Sequence, residues 1–387
     1  MQQLIVEKPY TFTPPSKNTL WPKLFQVALP WYLRKYHGMT SLSFENIERL
    51  QTSIAQGHGI MLTPNHCRPC DPMVITALTK LTKTPMYIMA SRHLFEQGRM
   101  QKFLLQRAGA FSVFREGMDR EALKMAIDTL KEAKRPLVLF PEGVITRTND
   151  RLNNLMEGTS FIARNAAKGT PAGHVVIHPI AIRYQFQGNI EDTLSPVLTG
   201  IETRLTWSKQ NQPLQARINL IGQALLSLKE TEFLGCPQTG STYERLAGLT
   251  NAILNPLEQE WFKANGKGDV VGRVKKLRTA IIPDLIDKEL SEVEKGKRWE
   301  QLAKVYLAQQ LSFYPPDYTK QATPERLLET VERFEEDLTD KTTLHTPIHA
   351  TISIGTAIPV TTEREKGNDT TMTAIQTQLS QMLGISV

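Results

Sequence analysis

The chain has 387 residues, 40% hydrophobic and 22% charged, which excludes a fibrous or disordered polypeptide and is too long for a single small core. Three cysteines exclude a disulfide framework and point to a reducing compartment. The net charge of +7 is uneven, with 28 Lys and Arg against 17 Asp and Glu over residues 1–230 and 18 against 22 beyond; this suits a phosphate substrate, an anionic membrane, nucleic acid or merely a soluble surface.

From the amino end, Met1-Gln2-Gln3-Leu4 onward lacks a basic region followed by an apolar core, so no secretory leader is expected and a cytoplasmic location is. No stretch reaches the roughly 18 uninterrupted apolar residues of a membrane span. Residues 1–17, broken by Pro9, Pro14 and Pro15, read as an irregular arm. Residues 18–37 set Trp21, Phe25, Leu29, Trp31, Tyr32 and Leu33 among Lys23, Arg34 and Lys35. That mixture suits an amphipathic segment at lipid headgroup level, or a helix packed on its own domain, with Pro30 kinking or dividing it.

Between residues 45 and 185 helical and strand patterns alternate. The pattern predicts a helix over 44–56, a buried strand at Gly59-Ile60-Met61-Leu62-Thr63, and a helix over 72–83 that starts on a proline. A strand over 86–90, a helix over 94–108 ended by Gly109, and a strand over 110–114 follow. Asp119 caps a helix over 120–134, whose Leu123, Ala126, Ile127 and Leu130 share one face. A strand over 136–140, a helix over 155–168 and a strand over 175–182 complete the series. The expected fold class is α/β, a central mixed sheet flanked by helices, with reactive groups on the loops leaving the strands.

Residues 189–228 read as a variable linker with a strand over 216–220. Helices are expected over 243–263, 274–294, 298–311 and 324–340, then a strand-like apolar run over 348–360, a polar tail over 361–369 and a short helix. Ile354-Gly355-Thr356-Ala357-Ile358 faintly echoes Ile221-Gly222-Gln223-Ala224-Leu225, but five residues are too few for a repeat. The expected division is an arm and interfacial segment at 1–39, a catalytic domain at 40–230 and a mainly helical carboxyl-terminal appendage at 231–387.

The densest chemistry lies at Asn65-His66-Cys67-Arg68-Pro69-Cys70-Asp71-Pro72. His66 and Asp71 suit a general base and the carboxylate that fixes its tautomer. Five positions apart on a straight helix they point about 140° away from each other, but a turn favoured by Pro69 and Pro72 brings them together. Taken alone, the pair also fits a structural histidine. Cys67 and Cys70 at the start of a helix fit either a thiol–disulfide site or two core cysteines. Cys236 stands alone and no His-x-x-x-His or second Cys-x-x-Cys exists, so no metal is expected.

Three further blocks follow in order: Gly109-Ala110-Phe111-Ser112-Val113-Phe114-Arg115, then Phe140-Pro141-Glu142-Gly143 with Thr146 and Arg147, then Ile177-His178-Pro179-Ile180-Ala181-Ile182. Each alone has a structural reading as a strand end or a turn. Together with His-x4-Asp, the set resembles the glycerolipid acyltransferases, which include the glycerol-3-phosphate and 1-acylglycerol-3-phosphate acyltransferases, over about residues 40–225.

The resemblance implies an O-acyltransferase of phospholipid biosynthesis or remodelling, peripheral to a membrane. The acyl donor would be acyl-CoA or acyl-carrier protein, with no other cofactor, and the acceptor a glycerol phosphate or lysophospholipid. It makes His66 the base that takes the proton of the acceptor hydroxyl, and Asp71 the group that holds the imidazole. The acyl group would pass directly to the acceptor. Arg115 would bind the acceptor's phosphate, Glu142 and Gly143 would shape its site, Arg147 would be a second phosphate contact, and Pro179 would lie near the acyl donor or the sheet edge.

The family commonly continues Phe-Pro-Glu-Gly with Thr-Arg-Ser, where this chain has Val144-Ile145-Thr146. One usual cation is therefore missing, and Arg147 must serve. The cysteine pair inside the motif is a second departure, and a Cys67–Cys70 disulfide would distort the turn and switch activity off. A non-catalytic lipid-binding or scaffolding protein on the same fold would have lost His66, Asp71 or Glu142. Nucleic acid is not an expected partner, because only Arg273, Lys275, Lys276 and Arg278 form a tight basic group.

Overall fold

A computed structural model describes residues 7, 9–208, 210–314, 322–363 and 369–385. The stretch from Met1 to Leu4 and residues 364–368 of the polar tail lie outside them. Two compact units divide the chain: Tyr10–Gly188 with Leu344–Val387, and Met1–Pro9 with Asn189–Thr343.

The first unit begins with α1 (Leu20–His37), which runs unbroken through Pro30. The proline does not divide it: the ring is exposed, and the helix loses one hydrogen bond, to the carbonyl four residues back. Gly38, at φ 65°, turns the chain out of the helix and into β1 (Met39–Glu45). The helix expected from residue 44 therefore starts later, as α2 (Ile47–Ala55). Then come β2 (Gly59–Pro64), α3 (Asp71–Thr76) and α4 (Leu78–Thr82), where one helix was expected. β3 (Tyr87–Ser91), a 3-10 turn at Arg92–Phe95, α5 (Arg99–Ala108) and β4 (Ala110–Val113) follow. α6 (Arg120–Glu132), β5 (Leu137–Val138), α7 (Gly158–Ala167) and β6 (Val175–Phe186) complete this part.

These strands form a central mixed sheet in the order β1-β7-β6-β2-β5-β3-β4, where β7 is Ile348–Ile354 and β8 (Ile358–Pro359) also pairs with β6. The strands β2, β3, β4, β5 and β6 run parallel to one another. β7 runs antiparallel to β6 and parallel to β1. Every residue of β2 is buried, as its uninterrupted apolar sequence requires between two parallel neighbours. The core gathers Met61, Phe111, Leu130, Leu137, Ile162, Ile177 and Ile375.

Pro179 does not interrupt β6. It falls where β6 changes partner, between Ile180 opposite Ile354 and Ile177 opposite Ile358, so its missing N–H leaves no ladder bond unmade on that side. His178 fills the same gap: its Nδ1 lies 2.9 Å from the Gly355 carbonyl and its Nε2 2.9 Å from Ser53 Oγ. It is a buried structural histidine.

The second unit is helical: α8 (Ile190–Arg204), α9 (Leu214–Leu234), α10 (Thr242–Phe262), α11 (Val270–Asp287), α12 (Glu292–Leu311) and α13 (Pro324–Thr339). The strand expected over 216–220 is the first turns of α9. Its buried Leu214, Arg217, Ile218 and Ile221 have helical spacing, and five residues that alternate apolar and polar are too few to separate the two periods. Helix α8, in the presumed linker, opens on Asn189, whose side chain accepts from Glu191 and Asp192 N–H.

A 28-residue period runs through this unit. Arg217, Arg245 and Arg273 are spaced at that interval, as are Glu202, Glu230 and Glu258. Each arginine reaches the glutamate of the preceding helix, at 2.8, 2.7 and 2.7 Å in buried ion pairs. Each also reaches two polar side chains one and two turns earlier: Thr199 and Ser195, Ser227 and Gln223, Asn255 and Asn251. The residues before the three helices, Pro213, Ser241 and Asp269, keep the interval. The fainter echo between 221–225 and 354–358 has no counterpart, since the first lies in α9 and the second at a strand end.

The chain then returns to the first unit through β7, β8 and α14 (Thr370–Leu383). Asp369 caps α14 and pairs with Arg164 of α7 at 2.9 Å.

Candidate active site

β2 delivers the chain to His66 at the carboxyl end of a central strand, and the turn 67–70 leads into α3 with Asp71 as its first residue. That turn brings the two side chains together: His66 Nδ1 lies 2.8 Å from Asp71 Oδ2. Asp71 is fully buried, 0% exposed, and is not left as a bare charge. The Arg68 N–H donates to Oδ2 at 2.9 Å and the Tyr184 hydroxyl donates to Oδ1 at 2.5 Å. Donors on both oxygens offset the cost of burying a carboxylate.

An ionised Asp71 makes His66 Nδ1 the protonated nitrogen, so Nε2 carries the lone pair. Nε2 has no hydrogen-bond partner among the described residues. The His66 ring lies over Phe140, with centroids 4.2 Å apart, and its side chain is 15% exposed. A base held at one nitrogen and open at the other is what proton abstraction requires.

The Phe140-Pro141-Glu142-Gly143 turn clamps the His66 backbone. Glu142 Oε1 accepts the His66 N–H at 2.8 Å and Oε2 accepts the Asn153 N–H at 2.8 Å. The side chain is fully buried, so this geometry gives it a positioning part, with both oxygens already engaged by backbone. Burial pushes its carboxyl up to about 8, against the pull of those two donors. From the other side the Thr146 N–H donates to the His66 carbonyl at 2.8 Å.

Arg115 follows β4, and its guanidinium donates through Nη1 to the Gly143 carbonyl. Asp119 fixes the turn from β4 to α6 that carries Arg115, by accepting the Phe114 N–H at 3.0 Å while capping α6. Gly143 has φ 67°, and a Cβ there would lie 2.5 Å from the tip of Met156, so glycine is needed. Arg147 adopts a left-handed conformation, φ 58°, directly after Thr146. His66, Asp71 and Glu142 are thus joined by hydrogen bonds, Arg115 grips the carbonyl of Gly143 next along the chain from Glu142, and Arg147 leaves the loop that holds the His66 carbonyl.

Cys67 and Cys70 are buried thiols, not joined in a disulfide. Cys67 Sγ faces the Ile182 carbonyl at 3.8 Å, and Cys70 Sγ lies 3.5 Å from the Tyr184 hydroxyl. Burial pushes the Cys70 thiol up to about 12, far from the exposed, low-pKa thiolate of a redox site. Among the described residues no three His, Cys, Asp or Glu side chains converge to hold a metal.

Residues 41–183 match the family model described as Acyltransferase. This stretch belongs to the acyltransferase family. No curated protein matches the chain. The match begins in β1 and ends in β6, and it spans all six residues expected at the site. The acyltransferase domain therefore serves O-acyl transfer in lipid metabolism, and the motifs that resemble the family are the ones that meet around His66.

Three site residues escaped the sequence reading. Asn65 pairs through its amide with both the N–H and the carbonyl of Ile182, at 2.7 and 3.1 Å. Asn149 does the same for Tyr184, at 2.8 Å in each direction. These two amides extend the sheet edge and seat Tyr184 against Asp71. The alternation of exposed Arg183, buried Tyr184 and exposed Gln185 was the available signal for an inward tyrosine. Nothing in local sequence pairs an asparagine with a strand over a hundred residues away.

Proposed function

We propose that the protein transfers an acyl group from an acyl thioester, acyl-CoA or acyl-carrier protein, to a hydroxyl of a glycerol phosphate or lysophospholipid. The observation that carries this reading is His66, tied at Nδ1 to buried Asp71 with Nε2 unpartnered, inside an acyltransferase-family domain. Nε2 takes the proton of the acceptor hydroxyl as its oxygen bonds to the thioester carbonyl carbon. The tetrahedral intermediate then expels the thiolate, which recovers the proton from the imidazolium, giving an ester and a free thiol. Asp71 stabilises the imidazolium in between, as in a triad without an enzyme nucleophile. Arg115 and Arg147 supply planar donors for the acceptor's phosphate.

Action at a membrane surface is part of the proposal. No helix of the described residues is long and apolar enough to cross a membrane. α1 nonetheless exposes Leu20, Leu24, Val27 and Trp31, and the adjoining α5 exposes Met100, Phe103 and Leu104. Trp21 and Phe103 join the two helices edge to face. Lys23, Arg34, Lys35, Arg99, Lys102 and Arg107 surround them, and neither helix contains an acidic residue. Apolar side chains rimmed by cations fit an anionic lipid surface.

The direct test incubates the purified protein with labelled acyl-CoA or acyl-carrier protein and a panel of phosphate-bearing acceptors. Ester formation by the native protein and its loss in His66→Ala are expected. A panel with no acylated acceptor, or wild-type turnover in the folded variant, contradicts the reading.

A further inference from the structure

We propose that Tyr184 is a positioning residue of this site, the outer member of a Tyr184–Asp71–His66 chain that fixes the orientation of the base. The proposal rests on the acyl-transfer reading for its catalytic consequence, and on geometry for the link itself. Tyr184 lies just outside the matched stretch.

The tyrosine is buried in the long strand β6, and its hydroxyl meets Asp71 Oδ1 at 2.5 Å, while the other carboxylate oxygen serves His66. One carboxylate thus has its two oxygens assigned to two different side chains, and its plane cannot rotate without breaking one bond. Burial, and then the neighbouring Asp71 charge, keep the Tyr184 hydroxyl protonated and therefore a donor. Its placement is built from several sides. Asn149 holds both backbone groups of Tyr184, and the Arg68 guanidinium covers its ring at 5.3 Å. Because the tyrosine proton is committed to Asp71, Cys70 is the donor in the 3.5 Å contact with the tyrosine oxygen. This gives the cysteine of the opening motif a place behind the catalytic pair, where a thiol is a small, weakly polar filler.

The hydrogen bond also tunes the pair. A donor on Oδ1 draws carboxylate charge away from Oδ2 and weakens its hold on the His66 Nδ1 proton. Tyr184→Phe keeps the ring and removes only the donor. It is expected to lower kcat by on the order of tenfold to a hundredfold, the worth of one hydrogen bond to a charged group, with KM for the acceptor changed less than about twofold.

The second readout is the far-downfield proton resonance of the His66–Asp71 bond, followed without substrate. It should move further downfield in Tyr184→Phe. It should move upfield when 3-fluorotyrosine, a stronger donor, is placed at position 184, which also serves if the Phe variant fails to fold. Wild-type kcat in a folded Tyr184→Phe overturns the proposal, as does a resonance that stays put in both variants. If His66→Ala retains turnover, the acyl-transfer mechanism fails, and the resonance still decides whether Tyr184 governs the pair.

Discussion

Glu142 shows how a residue read as part of a substrate site can act from beneath it. Its oxygens accept the His66 and Asn153 N–H groups, so it holds the base's backbone in place. Its carboxyl is raised from an ordinary 4.5 to about 8, which means that the folded protein binds this proton more tightly than the unfolded chain does. The stability it contributes is therefore full below about pH 4.5 and is lost as pH climbs to about 8. In urea titrations the midpoint of the wild type should fall between pH 5 and pH 8 relative to that of Glu142→Gln, whose side chain does not titrate. Parallel curves contradict this protonation behaviour. The positions of His66, Asp71 and Glu142 in the chain were legible because each motif sits at a strand end, where a short turn decides the neighbours. Tyr184 and Asn149 were not, since their partners are fixed by the sheet and not by local spacing.

At the level of elements, α1 and α5 carry the membrane proposal. Val27 is 82% exposed, so Val27→Glu leaves the core untouched. It should weaken sedimentation with anionic vesicles about tenfold, the scale of one buried apolar side chain exchanged for a charge, and leave turnover on a soluble short-chain acceptor unchanged. Undiminished vesicle binding by Val27→Glu together with Trp31→Glu would remove this surface from the account. In the helical unit, the buried Arg–Glu pairs recur where helices cross-link. Glu230 is held below the usual carboxylate range by the Arg245 guanidinium. Arg245→Ala leaves that glutamate buried without its partner and should cost about 3–5 kcal/mol, read as a lowered urea midpoint; a loss below about 1 kcal/mol would mean the pair is not structural. Of these helices α10 and α13 were readable to within a residue from apolar periodicity and caps, whereas α8 and α9 were read as a linker with a strand and the expected helix over 274–294 runs through the break between α11 and α12. The 28-residue period extends to the buried positions Ile221, Leu249 and Leu277 and Leu226, Leu254 and Ile282, but interchangeable apolar residues hide it until the helices are aligned on their arginines and glutamates.

Across the whole molecule, the sheet unit is assembled from both ends of the chain. β7, drawn from residues 348–354, lies between β1 and β6, well beyond the 41–183 stretch that matches the family. A chain ended after residue 343 keeps every expected site residue but leaves facing edges of β1 and β6 unpaired. It should be insoluble or lack native circular dichroism, and a soluble, active truncation would show that β7 is dispensable. The apolar run over 348–360 announced a strand, but sequence alone gives no distance at which a strand finds its sheet. What this assembly places at its centre is His66, and the central claim is that its free nitrogen takes the acceptor's proton. Acyl transfer by His66→Ala, measured with a labelled thioester donor and the acceptor the wild type prefers, tests that most directly. The account predicts a loss on the order of a thousandfold with unchanged circular dichroism, and turnover equal to the wild type in the folded variant would contradict it.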